Sequence, residues 1–297
     1  MNIVSIPEIK YTREVASCID ELRNEEFVHF AGLSLKHLAG EICLNELKTS
    51  MVLKIMDVRN PRGLDKFDEE TSTYIADNVN RIAGLLDFLF VKDKEGAFEV
   101  EESQRKTKMT YNLDFRRNFV PRVGIGFDWY NGPQAGLTNF NFLQYKDANA
   151  AHRQFNESRE EGDLNTLIAI MYLPWYQGEY KGHPTSKHIK TLGKLPMEKK
   201  WAIYLFYTAC EEFLRTGTIT VDGEEINLDV LYKETIEELK VAKKAKYQQK
   251  GGLASVALGL AGTGVFGPIE RVYRQNLYDV LLMLVKQRIE YLNTIDN

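Results

Sequence analysis

The sequence GTGVFG at 262–267 has the glycine spacing of a dinucleotide-binding motif. In that chemistry the glycines lie between a buried strand and a helix, so that backbone N–H groups face a pyrophosphate. Here the preceding residues, 253–261, have the pattern of a short helix rather than of a hydrophobic strand. The sequence therefore predicts a glycine turn between two helices and no bound cofactor.

Histidines are the next candidates, because a neutral imidazole is a common metal ligand and general base. His183 and His188 do not share one face of a helix, and no carboxylate stands beside them at a ligand-like spacing. We interpret both as surface residues of a loop. His29, His37 and His152 are isolated on helical stretches, where hydrogen-bonded, partly buried side chains are expected.

Two pairs of adjacent carboxylates, Glu160–Glu161 and Glu211–Glu212, could suggest acid–base catalysis. Such catalysis needs two carboxylates facing each other across a substrate, whereas adjacent residues on a helix point about 100° apart. Neither a Gly-x-Ser-x-Gly elbow nor a phosphate-binding loop occurs in the sequence. The sequence predicts no catalytic, cofactor-binding or metal-binding residues, and a protein that is not an enzyme.

A basic cluster near residue 245 is a candidate contact site. Lys240, Lys243, Lys244 and Tyr247 share one face of a predicted helix. That face could meet an acidic protein or a phosphate backbone. It could equally be a solvated helix end whose lysines favour the C-terminal dipole.

Aromatic residues form the second candidate contact site. Trp129 and Tyr130 lie in a segment rich in glycine and proline, and Trp175 and Tyr176 follow later in the chain. Aromatic side chains are enriched in the cores of protein interfaces. The alternative is that these rings attach an irregular segment to the helical part of the protein.

Three parts position these residues: helical residues 1–95, a β-containing or irregular insertion at 96–137, and helical residues 138–297. Apolar periodicity and breakers predict helices over the ranges 9–22, 35–58, 71–90, 139–155, 163–173, 196–215, 228–249 and 269–292. Alternation predicts short strands at 98–100 and 111–115, and an ordered loop over 121–136. The predicted fold class is mainly α, a multi-helix bundle-like core with a small β-containing insertion. The two helical parts are expected to share one core.

Composition sets broad limits on the protein. Of 297 residues, 44% are hydrophobic and 27% are charged, which is typical of a folded chain. The net charge of −4 gives no whole-chain electrostatic basis for binding nucleic acid. No run approaches the length of about 18 apolar residues that a membrane span needs, and the start lacks a secretory signal pattern. Cys18, Cys43 and Cys210 are expected to be buried, reduced thiols, which favours the cytoplasm.

Three stretches together resemble a group of proteins encoded by bacteriophages and prophages of Bacteroidetes bacteria. They are residues 129–139, 161–174, and 260–267 followed by 276–281. The resemblance runs from residue 129 onward, and its motifs are turn and packing motifs. In the group's pattern an Arg would follow Tyr172, whereas Leu173 stands here, so no binding role is carried over to that position.

Genes of that group lie among virion assembly genes, commonly close to a tail tape-measure gene. The resemblance therefore implies a tail-assembly chaperone or a structural component of the virion, acting through protein–protein contacts. A helical chaperone of this kind would offer apolar grooves to long amphipathic helices of a client. The partner would be a phage tail or other virion component, met in the host cytoplasm or in the virion. The alternative is a nucleic-acid-associated protein that uses the basic face at 240–250.

Overall fold

The computed structural model describes residues 1–6, 11–57, 68–92, 109–221, 223–232 and 252–295. Its helices are α1 (Asn24–Leu38), α2 (Leu44–Ile55), α3 (Glu69–Gly84), α4 (Phe142–Ser158), α5 (Glu161–Met171), α6 (Ser186–Leu192), α7 (Met197–Thr216), α8 (Gly252–Thr263), α9 (Ile269–Arg274) and α10 (Leu277–Ile295). Its strands are β1 (Asn2–Ile6), β2 (Tyr11–Val15), β3 (Phe90–Lys92), β4 (Met109–Tyr111), β5 (Arg122–Ile125), β6 (Asp128–Asn131), β7 (Leu173–Pro174), β8 (Thr218–Val221) and β9 (Glu224–Asn227). The fold is mainly α with small antiparallel sheets, as the sequence predicts.

The chain divides into two compact units. The first contains residues 1–115 and 196–206, and the second contains residues 116–195 and 207–297. Helix α7 contributes its first half to the first unit and its second half to the second. None of the helices in the described part of the chain has both the length and the apolar composition needed to cross a bilayer.

The first unit is built around the buried aromatic residues of α1. The Phe27 ring packs edge-on to Phe115 at 5.1 Å between centroids, and the Phe30 ring lies 5.6 Å from Tyr111. Trp201, far along the chain in α7, donates its indole N–H to the Ser34 hydroxyl at 3.1 Å. Strands β1 and β2 pair with each other, as do β3 and β4.

In the second unit, α4 packs against α5, and an isolated β-bridge joins the residue before α4 to the residue before α10. The Asn141 side chain caps α4 by accepting a hydrogen bond from the Gln144 N–H at 2.8 Å. Asn141 also forms an isolated antiparallel bridge with Asn276, which precedes α10. Tyr172 and Tyr207 are completely buried in this unit.

The helix predictions are confirmed where proline or glycine residues mark the ends of helices. Pro196 precedes α7 and accepts backbone hydrogen bonds from Lys199 and Lys200, so the predicted helix at 196–215 is confirmed. The glycine turn at 262–267 is also confirmed, because it joins α8 to α9. Gly264 and Gly267 have φ values of 75° and 80° there, which favour glycine.

Several boundaries differ from prediction. The predicted helix at 9–22 is wrong, because residues 11–15 form β2, which pairs with β1. The predicted helix at 35–58 is two helices, α1 and α2, separated at Gly40 with a φ of 74°. The predicted loop at 121–136 contains the paired strands β5 and β6. The predicted strand at 98–100 lies outside the described residues. The predicted strand at 111–115 overlaps β4 only at Tyr111, which is the last residue of β4.

The cysteine prediction is correct for one residue and wrong for two. Cys210 is buried in α7, whereas Cys18 and Cys43 are exposed. Both exposed cysteines occupy cap positions at the start of a helix, Cys43 before α2 and Cys18 before a short 3-10 helix at Ile19–Glu21. Ile19 beside Cys18 is buried, and Ile42 and Leu44 beside Cys43 are half-buried, while the cap position itself remains at the surface.

Candidate functional site

A two-residue hairpin loop presents the first part of the site. Strands β5 and β6 are antiparallel, with Val123 opposite Tyr130 and Gly124 opposite Trp129. Gly126 has a φ of 63° at the first turn position, where a tight hairpin of this kind requires a positive φ. Phe127, at the second turn position, is fully exposed. A large apolar ring is therefore held at the tip of an ordered hairpin.

A third strand brings the second pair of predicted aromatics to the same sheet. Strand β7 pairs with β6, with Leu173 opposite Asn131 and Pro174 opposite Tyr130. The Trp175 N–H continues this ladder by donating to the Trp129 carbonyl at 2.9 Å. Trp129 and Trp175 thus occupy facing positions on neighbouring strands, on one face of the sheet.

Four aromatic side chains on this sheet are open to solvent, and we call them the aromatic surface: Phe127, Trp129, Trp175 and Tyr176. Trp129 is 52% exposed, Trp175 is 65% exposed and Tyr176 is 75% exposed. The Trp175 and Tyr176 rings lie 5.9 Å apart and nearly perpendicular. Several exposed aromatic rings on one small part of a surface are typical of interaction sites.

The Trp129 ring is fixed in place by its neighbours. It lies over Gly124, where an added Cβ would come within 3.1 Å of the ring. The Arg122 guanidinium lies 6.0 Å from the ring centroid, at the outer limit for a cation–π contact. A ring held this way loses little conformational freedom when a partner binds.

Tyr130 belongs to the core instead of the surface. Only 6% of it is exposed, and its ring packs on His188 of α6 at 5.1 Å between centroids. Burial raises the pKa of Tyr130, with the Asp128 carboxylate adding to the effect. The sequence grouped Tyr130 with the candidate partner contacts, whereas the structure places it beneath the sheet, where it anchors β6 to α6.

His188 is likewise a packing residue. Its Nε2 lies 2.9 Å from the Tyr172 carbonyl, which can only accept, so Nε2 carries the proton. Burial lowers the pKa of His188, so the ring is neutral at pH 7. This half-buried position corrects the interpretation of His188 as a surface residue. Among the described residues, no group of three or more His, Cys, Asp or Glu has a geometry that could hold a metal ion.

The basic cluster near residue 245 is the other candidate contact site. Lys240, Lys243, Lys244 and Tyr247 lie outside the described residues. The predicted helix at 228–249 is described only at its start, where Leu228–Leu231 forms a 3-10 helix. The basic face remains a prediction from the sequence.

A polar network in the second unit was missed by sequence reasoning. His152 of α4 lies between Thr208 and Glu211 of α7, with Nε2 3.1 Å from the Thr208 hydroxyl and Nδ1 2.7 Å from a Glu211 oxygen. The order hydroxyl, imidazole, carboxylate is that of an acyl-transfer triad. Here, however, the hydroxyl lies in the middle of a helix, and His152 is almost completely buried. We interpret the network as the polar link between α4 and α7.

Segment 173–180, which carries Trp175 and Tyr176, also lines three cavities. One of about 880 Å³ extends toward His183 and His188. A second of about 370 Å³ faces Asn139, Gln144 and Arg274. A third of about 210 Å³ lies beside Trp129 and Lys187. The aromatic surface therefore borders recesses of the size that binds ligands.

No protein-family profile, curated protein sequence or solved structure matches the chain.

Proposed function

We propose that this protein acts without catalysis, as an assembly or structural protein of a phage or prophage, by binding a protein partner through the aromatic surface. The observation that carries the proposal is the exposure of Phe127, Trp129, Trp175 and Tyr176 on one small sheet and the turns that adjoin its strands. Burying such rings removes large apolar areas from water, at roughly 25 cal/mol per Å².

The geometry supports a protein partner for two reasons. Trp and Tyr dominate the binding energy of protein interfaces, where they insert into pockets of the partner. The rings here are attached to paired strands, so little ordering is required when a complex forms. Lys187 and Arg122 lie at the border of the surface and provide a polar rim.

The phage assignment rests on the resemblance of residues 129–139 and 161–174 to the phage and prophage group. Trp129 lies within the first of these stretches, and Trp175 follows directly after the second. The expected client is the tape-measure protein or another tail component. Its long amphipathic helices would offer the apolar side chains that the aromatic surface accepts.

The first test is the gene neighbourhood. We expect a very long, helix-rich reading frame next to this gene in its source DNA. Regulatory or metabolic neighbours on both sides would contradict the phage assignment, while leaving a protein-binding role open to the second test.

The second test is a titration of the purified protein with the purified product of that reading frame. Trp129→Ala and Trp175→Ala should each weaken binding by about tenfold or more. Tyr74→Ala is the matched control, because Tyr74 is an aromatic residue with 69% exposure on α3, outside the aromatic surface. Equal affinity of all three variants and the unaltered protein would contradict the proposal.

A further inference from the structure

The cavity of about 370 Å³ in the second unit collects polar side chains from several elements. Asn131 comes from β6, Gln144 from α4 and Arg274 from the end of α9. Asn139 precedes α4, and Glu179 lies in the loop after β7. These groups line one volume, so any of their polar atoms that lack a partner can bind a ligand there.

Gln144 is the most informative of them, because it is only 4% exposed. Its Nε2 donates to the Ile170 carbonyl at 2.8 Å, and a carbonyl can only accept, so the amide orientation is fixed. The Oε1 atom is left without a hydrogen-bond partner among the described residues. Although most of the residue is buried, this oxygen is not among the buried unpaired atoms of the described residues, so it is open to the cavity, where a ligand donor can bond to it.

The other amides are fixed by the same reasoning. Asn131 Oδ1 accepts from the Arg122 Nε–H at 3.1 Å, and Asn139 Oδ1 accepts from the Gln134 N–H at 2.8 Å. Each amide nitrogen therefore has no hydrogen-bond acceptor among the described residues and remains a donor for a ligand. Gln177 is the reverse case, since its Nε2 donates to the Glu179 carbonyl at 2.9 Å and its oxygen remains an acceptor.

Two opposite charges complete the lining. Within the described part of the chain, the Arg274 guanidinium forms no hydrogen bond, ion pair or ring contact. The Glu179 carboxylate accepts one hydrogen bond, from Asn141 Nδ2 at 3.3 Å. The two charges do not pair with each other. Because the two charges have opposite sign, the lining has no preference for a net anion or a net cation and suits a ligand without net charge that is rich in both donors and acceptors.

We propose that this cavity binds a neutral oligosaccharide. Each sugar hydroxyl is both donor and acceptor, which matches the mixture of free amide nitrogens, amide oxygens and opposite charges. The exposed ring of Trp175 and the side chain of Leu173 offer an apolar wall for the C–H face of a sugar. The cavity of about 880 Å³ shares Leu173, Gln177 and Glu179 with this one, which provides room for more than one sugar ring.

An extended peptide is the competing neutral ligand. Its N–H and C=O groups repeat along a line, about 3.4 Å per residue, and are matched best by the edge of a sheet. The free groups here come from four separate elements and converge. A compact polyhydroxyl ring fits that arrangement better.

Tryptophan fluorescence provides the test, because Trp175 lies at the cavity. In the full-length Trp129→Phe protein, Trp175 is the exposed tryptophan and Trp201 is buried. The probes are maltotriose, cellotriose, chitotriose and mannotriose, with a neutral Ala-Gly peptide and inorganic phosphate as comparisons. We expect at least one trisaccharide to shift the emission of Trp175 to shorter wavelength and to saturate in the millimolar range.

Arg274→Ala should weaken that binding by about tenfold or more, because hydrogen bonds to a charged group are lost. Arg271→Ala is the matched control, since Arg271 is exposed on the same helix and does not line the cavity. The proposal is overturned if no trisaccharide gives a saturating change, if the change survives in Arg274→Ala, or if the peptide or phosphate saturates instead. Arg274 lies outside the aromatic surface, so Arg274→Ala should leave protein-partner binding unchanged and separates the two proposals.

Discussion

Trp129 and Tyr130 are neighbours in sequence with opposite environments, since successive residues of β6 point to opposite faces of the sheet. Trp129 is half exposed, whereas Tyr130 is buried against His188. We predict that Trp129→Ala changes the free energy of unfolding by less than about 0.5 kcal/mol. Tyr130→Ala should lower it by about 3 to 5 kcal/mol, because it leaves a cavity beneath the sheet.

Urea denaturation of the two variants and the unaltered protein measures this difference. Phe127→Ala serves as a second control, because the Phe127 ring at the hairpin tip is fully exposed and its removal leaves no cavity. If Trp129→Ala were as destabilising as Tyr130→Ala, Trp129 would be a packing residue and the aromatic surface would lose its central member.

His188 makes stability depend on pH. Burial lowers its pKa from 6.5, and His29 shifts in the same direction for the same reason. As the pH decreases, these histidines are therefore protonated in the unfolded chain before they are protonated in the folded chain. The free energy of unfolding is at its full value above pH 6.5 and falls as the pH decreases below it. Protonation of Glu21 and Glu46, whose pKa values are lowered from 4.5, reduces the free energy of unfolding only at lower pH.

The measurement is the difference in unfolding free energy between neutral pH and about pH 5, a window set by the imidazoles. His188→Gln keeps a donor for the Tyr172 carbonyl but does not titrate. We expect this variant to lose less stability over the window than the unaltered protein. An unchanged loss would show that His188 is not responsible.

The sequence selected three of the four exposed rings, Trp129, Trp175 and Tyr176, but it could not separate exposed Trp129 from buried Tyr130. That separation depends on which face of β6 is covered, which is set by α6, an element far along the chain. Phe127 carried a usable signal, because a glycine at the first central position, as in Gly126-Phe127, is typical of a two-residue hairpin turn. Gln144 and Arg274 carried none, since their free atoms are defined by hydrogen bonds between distant segments.

At the scale of elements, the link between α4 and α7 depends on one carboxylate of an adjacent pair. Glu211 contacts both His152 and Asn149, whereas the Glu212 carboxylate is 55% exposed and, among the residues that the structure describes, pairs only with Arg215, at 3.8 Å. Glu211→Ala should therefore lower the free energy of unfolding by about 2 kcal/mol or more, because it leaves buried polar groups without partners.

Glu212→Ala is the matched control and should cost about 0.5 kcal/mol or less, as expected for an exposed ion pair. Thermal or urea unfolding of both variants gives the comparison. Equal effects would contradict the interpretation of the network as a structural link, and so would a soluble, stable Glu211→Ala protein with an altered hydrolytic activity.

Element prediction failed where pairing is non-local or where a cap was overlooked. Residues 11–15 form a strand because they pair with residues 2–6, a contact that helical periodicity does not register. The predicted helix at 269–292 is interrupted before Leu277 by Asn276, whose Oδ1 accepts from the Tyr278 N–H. Asparagine is a strong capping residue, so this break could have been predicted.

At the scale of the whole molecule, the mainly α class follows from apolar periodicity alone, but the division into two units does not. Residues 196–206 belong with residues 1–115, as the hydrogen bond between Trp201 and Ser34 illustrates. The residue pattern within one segment contains no information about contacts with segments that are far away in the sequence. The net charge of −4 gives the chain no overall attraction to nucleic acid, and the proposed function therefore depends on the aromatic surface.

The most direct test of that central claim is site-specific photo-cross-linking at Trp175. A benzophenone side chain introduced there should form a covalent adduct with the tape-measure-like product when the mixture is irradiated. The same side chain at Tyr74, equally exposed but outside the aromatic surface, should not. Adducts from Trp175 alone are the predicted result. Adducts from Tyr74 alone, or none from either position while the two proteins co-purify, would place the contact elsewhere and contradict the account.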